Sequence, residues 1–355
     1  MRAAASLVLV LAVLARGCVD DASFVDRRGR TCAAHALWDC ESYAADYPTL
    51  YTAADADEIA AACPLACGRC SAACPAGRDN FTASDYDGLK AILDAEACAD
   101  VTISGRVVVR ATASSTGAGL LVRSGCDVVL RGATGSETID GAGRHRALRA
   151  VGDLTLRRLR VVDSVVTQPE PGEDEPRGGA IRADGDVRAW HCEFRNCSAG
   201  TYTNTNGMVF WEWWTVTRGL GGAIFSVGAN VAVGFTNFTG CRADDGGGAI
   251  HAYMADVAIR PGSGFFGNAG TAGGAIHHSS YGALDAGDAD DERCATGPPL
   301  RFVGNAAVAE DDDEDDILSG GAIHSSGCSV KLASVRAARN VANDGGFLDW
   351  APYYV

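Results

Sequence analysis

The sequence predicts an all-β chain: a right-handed parallel β-helix of about eight to nine coils, preceded by a short N-terminal capping helix and a small disulfide-rich module. Two observations carry the β-helix. Gly-Gly-Ala-Ile recurs at 178–181, 221–224, 247–250, 273–276 and 320–323, and Gly345-Gly346-Phe347-Leu348 is a degenerate sixth copy. The start-to-start spacings are 43, 26, 26, 47 and 25, so one coil takes about 26 residues and two coils carry inserts. A third observation, six cysteines between positions 18 and 70, carries the small module.

In chain order, residues 1–17 come first. Arg2 precedes an apolar run from Ala3 to Leu14, and Ala15-Arg16-Gly17 places small residues at the cleavage-determining positions. The run is too short to span a bilayer and reads as a removable signal peptide. Elsewhere no apolar stretch reaches spanning length, so no membrane span is expected in the mature chain, which is expected outside the cell or at its surface. The 14 cysteines then sit in an oxidising compartment and are expected to be mostly bridged. Asn80-Phe81-Thr82, Asn196-Cys197-Ser198 and Asn237-Phe238-Thr239 are candidate glycosylation sites.

Residues 18–70 hold Cys18, Cys32, Cys40, Cys63, Cys67 and Cys70. So short a segment buries too little apolar surface to fold alone, and staples supply what the core lacks. The six cysteines, the Cys18-Val19-Asp20 opening and the closing Cys67-Gly68-Arg69-Cys70 resemble the ShKT domain family, named for a sea-anemone toxin. That resemblance implies the pairs Cys18–Cys70, Cys32–Cys63 and Cys40–Cys67, whereas the residues alone permit every other pairing. Zinc is the competing reading of the CxxxCxxC tail, and six thiols behind a signal peptide disfavour it. The toxins plug potassium pores with a Lys beside an aromatic ring; this module contains no Lys, so an extracellular binding or spacer role is expected instead.

Residues 71–100 form a linker and the capping helix. Ser84 to Ala97 reads as that helix, capped by Ser84, acidic at Asp85 and Asp87, and apolar at Leu89, Ile92 and Leu93. Cys74 is expected to pair with Cys98 across it.

The β-helix is expected over 101–355. Short apolar strands such as Val107–Val109, Val128–Leu130 and Leu154–Leu156 open it. The Ile of each GGAI is expected to point inward and stack in a column, and the paired glycines to allow the tight coil corner. A second signature follows each GGAI: Phe194-Arg195-Asn196-Cys197, Phe238-Thr239-Gly240-Cys241, Phe265-Phe266-Gly267-Asn268 and Phe302-Val303-Gly304-Asn305, with only Asn340 kept in the last copy. Paired GGAI and FxxN motifs resemble the repeats of polymorphic outer-membrane proteins and of the wider pectin-lyase-like β-helix group, over 98–350. The resemblance implies the fold and leaves the activity open, because this fold hosts many activities. Cys197 and Cys241 replace the ladder Asn on neighbouring coils and are expected to be bridged. The pairing of Cys126, Cys192, Cys294 and Cys328 is open. No capping pattern follows Gly346, so the chain is expected to be truncated or to pair end to end.

Composition narrows the partners. A net charge of −15, with Lys90 and Lys331 the only lysines, repels phosphate backbones and excludes nucleic acid. The glycosidases of the pectin-lyase-like group carry an NTD triplet, an Asp pair and a GHG turn. Only Asp244-Asp245 is a near match here, and a solvated turn is the expected reading. The residue after each GGAI forms a column, Arg182, Phe225, His251, His277 and His324, expected to face outward. Its three imidazoles are weak metal candidates set against an ordinary exposed ladder, so neither metal nor cofactor is expected. The acidic run Asp311 to Asp316 lacks the spacing of a calcium loop and reads as solvated.

Two inserts remain: Tyr202 to Arg218, and Ser280 to Pro299 together with the acidic run. The first carries Trp211, Trp213 and Trp214, candidate ligand-binding residues whose rings suit sugars or a protein partner. The expected function is therefore a binding or structural role of adhesin or cell-surface type, toward an extracellular glycan or protein and without catalysis. The alternative is a polysaccharide-acting lyase or glycosidase. Nothing in the sequence sets the oligomeric state.

Overall fold

The structure is a computed structural model. It describes residues 19–35, 38–67, 78–110, 119–168, 176–200, 202–203, 216–217, 219–279, 282–287, 297–308, 319–326, 329–343 and 345–350. The chain divides into two compact units, Met1–Asp79 and Asn80–Val355.

The first unit is built from short helical turns around two disulfides. The turns Cys32–His35 and Cys40–Ser42 precede α1 (Tyr43–Asp46) and α2 (Ala53–Ala62). Thr52 and Asp55 close a reciprocal capping box that starts α2. Cys32 is bonded to Cys63 and Cys40 to Cys67, tying both turns to the end of α2 and the segment beyond. Loops of this length stabilise by about 3–4 kcal/mol per bridge in the chain-entropy picture. The core is aromatic: Tyr43 stacks on Tyr51 at 4.8 Å, and Trp38 meets Tyr47 edge-on at 5.8 Å. Asp20 ties the module's two ends together by accepting the backbone N–H groups of Leu65 and Ala66. The expected Cys18–Cys70 pair lies outside the described residues.

The second unit is a parallel β-helix. Each coil visits up to four sheets in turn. In one coil these are Ile250–Tyr253, Val257–Ile259, Gly264–Phe266 and Ala269–Gly270. The first position belongs to an eight-stranded sheet, here the Ile sheet, and the second to a nine-stranded sheet. The third belongs to another eight-stranded sheet, the Phe sheet, and the fourth to a narrow five-stranded one. The five GGAI isoleucines pair in register, Ile181 to Ile224, Ile250, Ile276 and Ile323, and all are buried. On the Phe sheet, Phe194, Phe238, Phe265 and Phe302 stack at 4.8, 4.9 and 4.8 Å with planes within 5°. Strand stacking imposes that spacing, since it equals the distance between hydrogen-bonded strands.

The two glycines of GGAI do different jobs. Gly221 has φ +67°, left-handed backbone that only glycine adopts without strain. Gly222 does not adopt that left-handed backbone, but a Cβ there would lie 2.1 Å from the carbonyl oxygen of Gly248 on the next coil. One supplies the turn and the other the close approach.

The cap differs slightly from expectation. The helix, α3, runs Tyr86–Ala95, and its cap is Asp85, whose carboxylate accepts the Gly88 N–H at 2.8 Å. Asp85 holds the extended backbone of a cap residue, which places Ser84 one position too early. Tyr86, Leu89 and Leu93 close the end of the core. A second correction concerns Ser280 to Pro299, expected as insert. Ala283–Ala286 within it is a regular strand of the nine-stranded sheet, paired with Val257–Ile259 and Ser329–Leu332. Its alternating Ala-Leu-Asp-Ala pattern is too short and too alanine-rich to stand out in sequence. The Tyr202 to Arg218 insert leaves the coil on an antiparallel stem, Tyr202–Thr203 against Val216–Thr217. Among the described residues no helix is long and apolar enough to cross a membrane.

Candidate functional site

The outer face of the Ile sheet gathers most of the chemistry outside the core. Register places Leu121, Arg149, Arg182, Phe225, His251, His277, His324 and Asp349 in one column. Its middle is a ladder of rings: Phe225 to His251 at 5.3 Å, His251 to His277 at 4.5 Å, and His277 to His324 at 5.0 Å. The expectation of an exposed ladder needs correction. The column points away from the inward isoleucines, yet Phe225 and His251 are buried, at 2% and 6% exposure. Gly246 is the reason at His251, because a Cβ on it would lie 2.1 Å from the ring Nδ1. The coil corner folds over the ring.

Burial sets the charge of these rings. It pulls the His251 pKa down to about 3, helped by the Arg177 guanidinium, and it holds His277 well below the usual imidazole range. Both are neutral in ordinary solution. Among the described residues the Nδ1 atoms of His251 and His277 are buried without a hydrogen-bond partner. No three His, Cys, Asp or Glu side chains among the described residues are placed to hold a metal ion. The imidazoles stack along the axis, and stacking does not aim three nitrogens at one point.

The lower end of the column sets Ser319, His324 and Asp349 side by side. Ser319 Oγ lies 2.9 Å and Asp349 Oδ2 2.8 Å from His324, but both meet the same nitrogen, Nδ1. A nucleophile relay needs the serine on one ring nitrogen and the acid on the other. This arrangement is an anchor for the last coil. The expected solvated turn at Asp244-Asp245 is corrected: Asp244 is buried, and Asp245 Oδ1 accepts from Gly246 N–H at 2.7 Å and from Thr271 Oγ at 2.8 Å, which ties the turn to the next coil.

The upper end of the column is cationic. Arg149 pairs with Asp184 at 2.6 Å, and Arg182 approaches the same carboxylate at 3.9 Å. Arg177 lies over the Phe225 ring at 5.2 Å. Arg146 is fully buried and donates to the carbonyls of Gly178 and Arg177. Burial and the neighbouring Arg182 bring its pKa down to about 9, and burial brings Arg182 to about 10. Arg146 and Arg149 were not legible as site residues, because their coil carries no GGAI to mark its register.

Two polar ladders run along the corners. At the corner after the Phe sheet, Asn340, Asn305 and Asn268 each accept a backbone N–H of the preceding coil and donate to a carbonyl of that coil. The residue before the ladder position has left-handed backbone, Gly240, Gly267 and Gly304 among them, which explains the glycine inside the FxxN motif. Cys241 and Cys197 continue this ladder, but as thiols, so the expected bridge between them is corrected. The Cys241 sulfur lies 3.7 Å from Phe194 O and the Cys197 sulfur 3.6 Å from Val161 O, where the asparagines place their amide groups. Each S–H does the work of an N–H donor toward the preceding coil. Cys126 and Cys192 are also buried thiols. Cys98 is disulfide-bonded; its expected partner Cys74, like Cys294 and Cys328, lies outside the described residues.

The second ladder, missed in the sequence, lies at the outer corner before the nine-stranded sheet. Asp153, Asp186, Asn230 and Asp256 each accept a backbone N–H from the next coil at 2.8–3.2 Å. The signal that betrays it is an Asp or Asn directly before each of those apolar strands.

The sequons fall in three settings. Asn80 is exposed in the strand Asp79–Ala83. Asn196 is exposed at a left-handed corner and donates to Asp163 at 3.2 Å. Asn237 is half-buried on the outer face of the Phe sheet. Trp211, Trp213, Trp214 and the run Asp311 to Asp316 lie outside the described residues. No family model matches the chain, and no curated protein matches it.

Proposed function

We propose that the chain is a secreted or cell-surface binding protein of adhesin type, which holds an extracellular glycan or protein partner and does not cleave it. In this reading the pectin-lyase-like repeats are a rigid scaffold and the ShKT-like module is a spacer or second binding unit. The observation that supports it most is the division of labour along each coil. Inward columns are taken up by packing and corner columns by ladders, whereas the Tyr202 to Arg218 insert leaves the coil on its own antiparallel stem. That insert holds three of the chain's six Trp residues. Loops on a solenoid vary without unfolding it, so function concentrates there.

A glycan array probed with the purified chain tests this reading. Binding is expected, and it is expected to fall at least tenfold when Trp211, Trp213 and Trp214 are replaced by Ala with the fold retained. Loss of the fold in that variant places the cluster in the core and defeats the insert's role. Release of reducing ends from algal or plant polysaccharides by the unaltered chain replaces the binding reading with the enzymatic one.

A further inference from the structure

The outer face of the Phe sheet holds a feature that neither packing nor the ladders use. Asn237, Gly264 and Arg301 stand in register on successive coils, and Thr239, Phe266 and Val303 stand two residues further along the same strands. Asn237 and Thr239, two apart in a strand, therefore share the outer face. On the next coil, directly opposite Asn237, stands Gly264. A Cβ on Gly264 would fall 2.3 and 2.5 Å from Cε2 and Cζ of Phe266 and 2.8 Å from Oδ1 of Asn237. The Phe266 ring thus folds back across the bare glycine, beside the Asn237 carboxamide. That oxygen is buried and makes no hydrogen bond, so Nδ2 is the atom left to face outward. Beyond the ring, the exposed Arg301 guanidinium stands 5.5 Å from its centroid.

We propose that Asn237 carries an N-linked glycan whose first sugar packs on the Phe266 ring. The proposal rests on the secretory reading above, because only a chain passing through a glycosylating compartment receives such a sugar. The bond formed is an N-glycosidic bond between Nδ2 and the anomeric carbon of the sugar; the bond from that carbon to the diphosphate of a lipid-linked oligosaccharide donor breaks, the lipid diphosphate leaves, and Nδ2 gives up one proton. The C–H face of a pyranose suits an aromatic face. Gly264 leaves room for the ring to lie beside the asparagine, and Arg301 is placed to donate to the sugar's hydroxyls. At Asn196, by contrast, the amide nitrogen is already engaged by Asp163.

The test expresses the full chain in a eukaryotic cell in two arms, one with its own residues 1–17 as leader and one with a borrowed secretory leader. Glycopeptide mass spectrometry then reads all three sequons. In the borrowed-leader arm the Asn237 peptide is expected to be occupied, and an unmodified Asn237 overturns the proposal. If only the own-leader arm stays in the cell and unmodified, the secretory reading fails while the site stands. After endoglycosidase trimming to a single sugar, the melting temperature is expected to exceed that of the sugar-free Thr239→Val variant by about 2–4 °C. Phe266→Ala is expected to abolish that difference. A glycan that stabilises equally with and without the Phe266 ring overturns the stacking.

Discussion

The side-chain oxygen of Asn268 accepts the backbone N–H of Cys241 at 2.9 Å, and at that step the inner ladder changes chemistry from amide to thiol. Three asparagines hold one end of the column and two cysteines continue it. All five side chains reach back to a carbonyl of the preceding coil.

The ladder makes Asn305 costly to remove. It is fully buried, accepts from both the backbone and the side chain of Asn268, and donates to Phe265 O at 3.1 Å. Asn305→Ala strands the Phe265 carbonyl and the Asn268 amide. A loss of about 2–4 kcal/mol is expected in denaturant titration. A change below about 0.5 kcal/mol would show that water replaces the ladder without cost.

The cysteine steps are expected to be silent in the native state. Cys126, Cys192, Cys197 and Cys241 are buried thiols, and burial raises the Cys197 pKa further, with Cys241 beside it. Alkylation of the folded protein is expected to leave these four unlabelled, and alkylation in denaturant to label them all. A Cys197–Cys241 bridge in a non-reducing peptide map contradicts the thiol ladder.

Acid is expected to weaken the Ile-sheet face. The folded pKa of His251 is about 3, below the unfolded value near 6.5, so the unfolded chain binds the extra proton as pH falls between the two. The cost is absent above pH 6.5 and complete below pH 3. For this ring it reaches at most about 5 kcal/mol. His251→Phe extends the existing contact with Phe225 and removes the titration. The variant is expected to lose less stability than the wild type between pH 6.5 and 4 in parallel urea titrations, and identical slopes would contradict the assignment.

Two glycines separate close approach from backbone strain. A Cβ at Gly222 meets a backbone oxygen of the next coil, whereas at Gly228 (φ +64°) it meets nothing within 4 Å. Gly228→Ala is expected to cost about 1 kcal/mol of conformational strain. Gly222→Ala is expected to cost several times that or to prevent folding, read by circular dichroism and thermal melts. Equal costs would mean that the coils separate easily.

The GGAI and FxxN repeats were enough to specify the stacked parallel coils and the Ile and Phe columns, and the resemblance of the six-cysteine pattern to the ShKT family implied the disulfides Cys32–Cys63 and Cys40–Cys67. These features repeat or follow a cysteine pattern, and a strand that stacks on its own copies must align like residues. Tertiary structure alone decided the environment of each column. Whether His251 meets solvent depends on where Gly246 folds over it, and whether Cys197 bridges Cys241 depends on which carbonyl each sulfur faces. The Asp153 to Asp256 ladder, Arg146 and the Phe266 ring across Gly264 were likewise invisible. The ladder and Arg146 depend on contacts between coils some 25–45 residues apart in sequence, and the Phe266 ring crosses a glycine of its own strand; period and composition along one strand say nothing about where a ring folds or what the next coil lays against it.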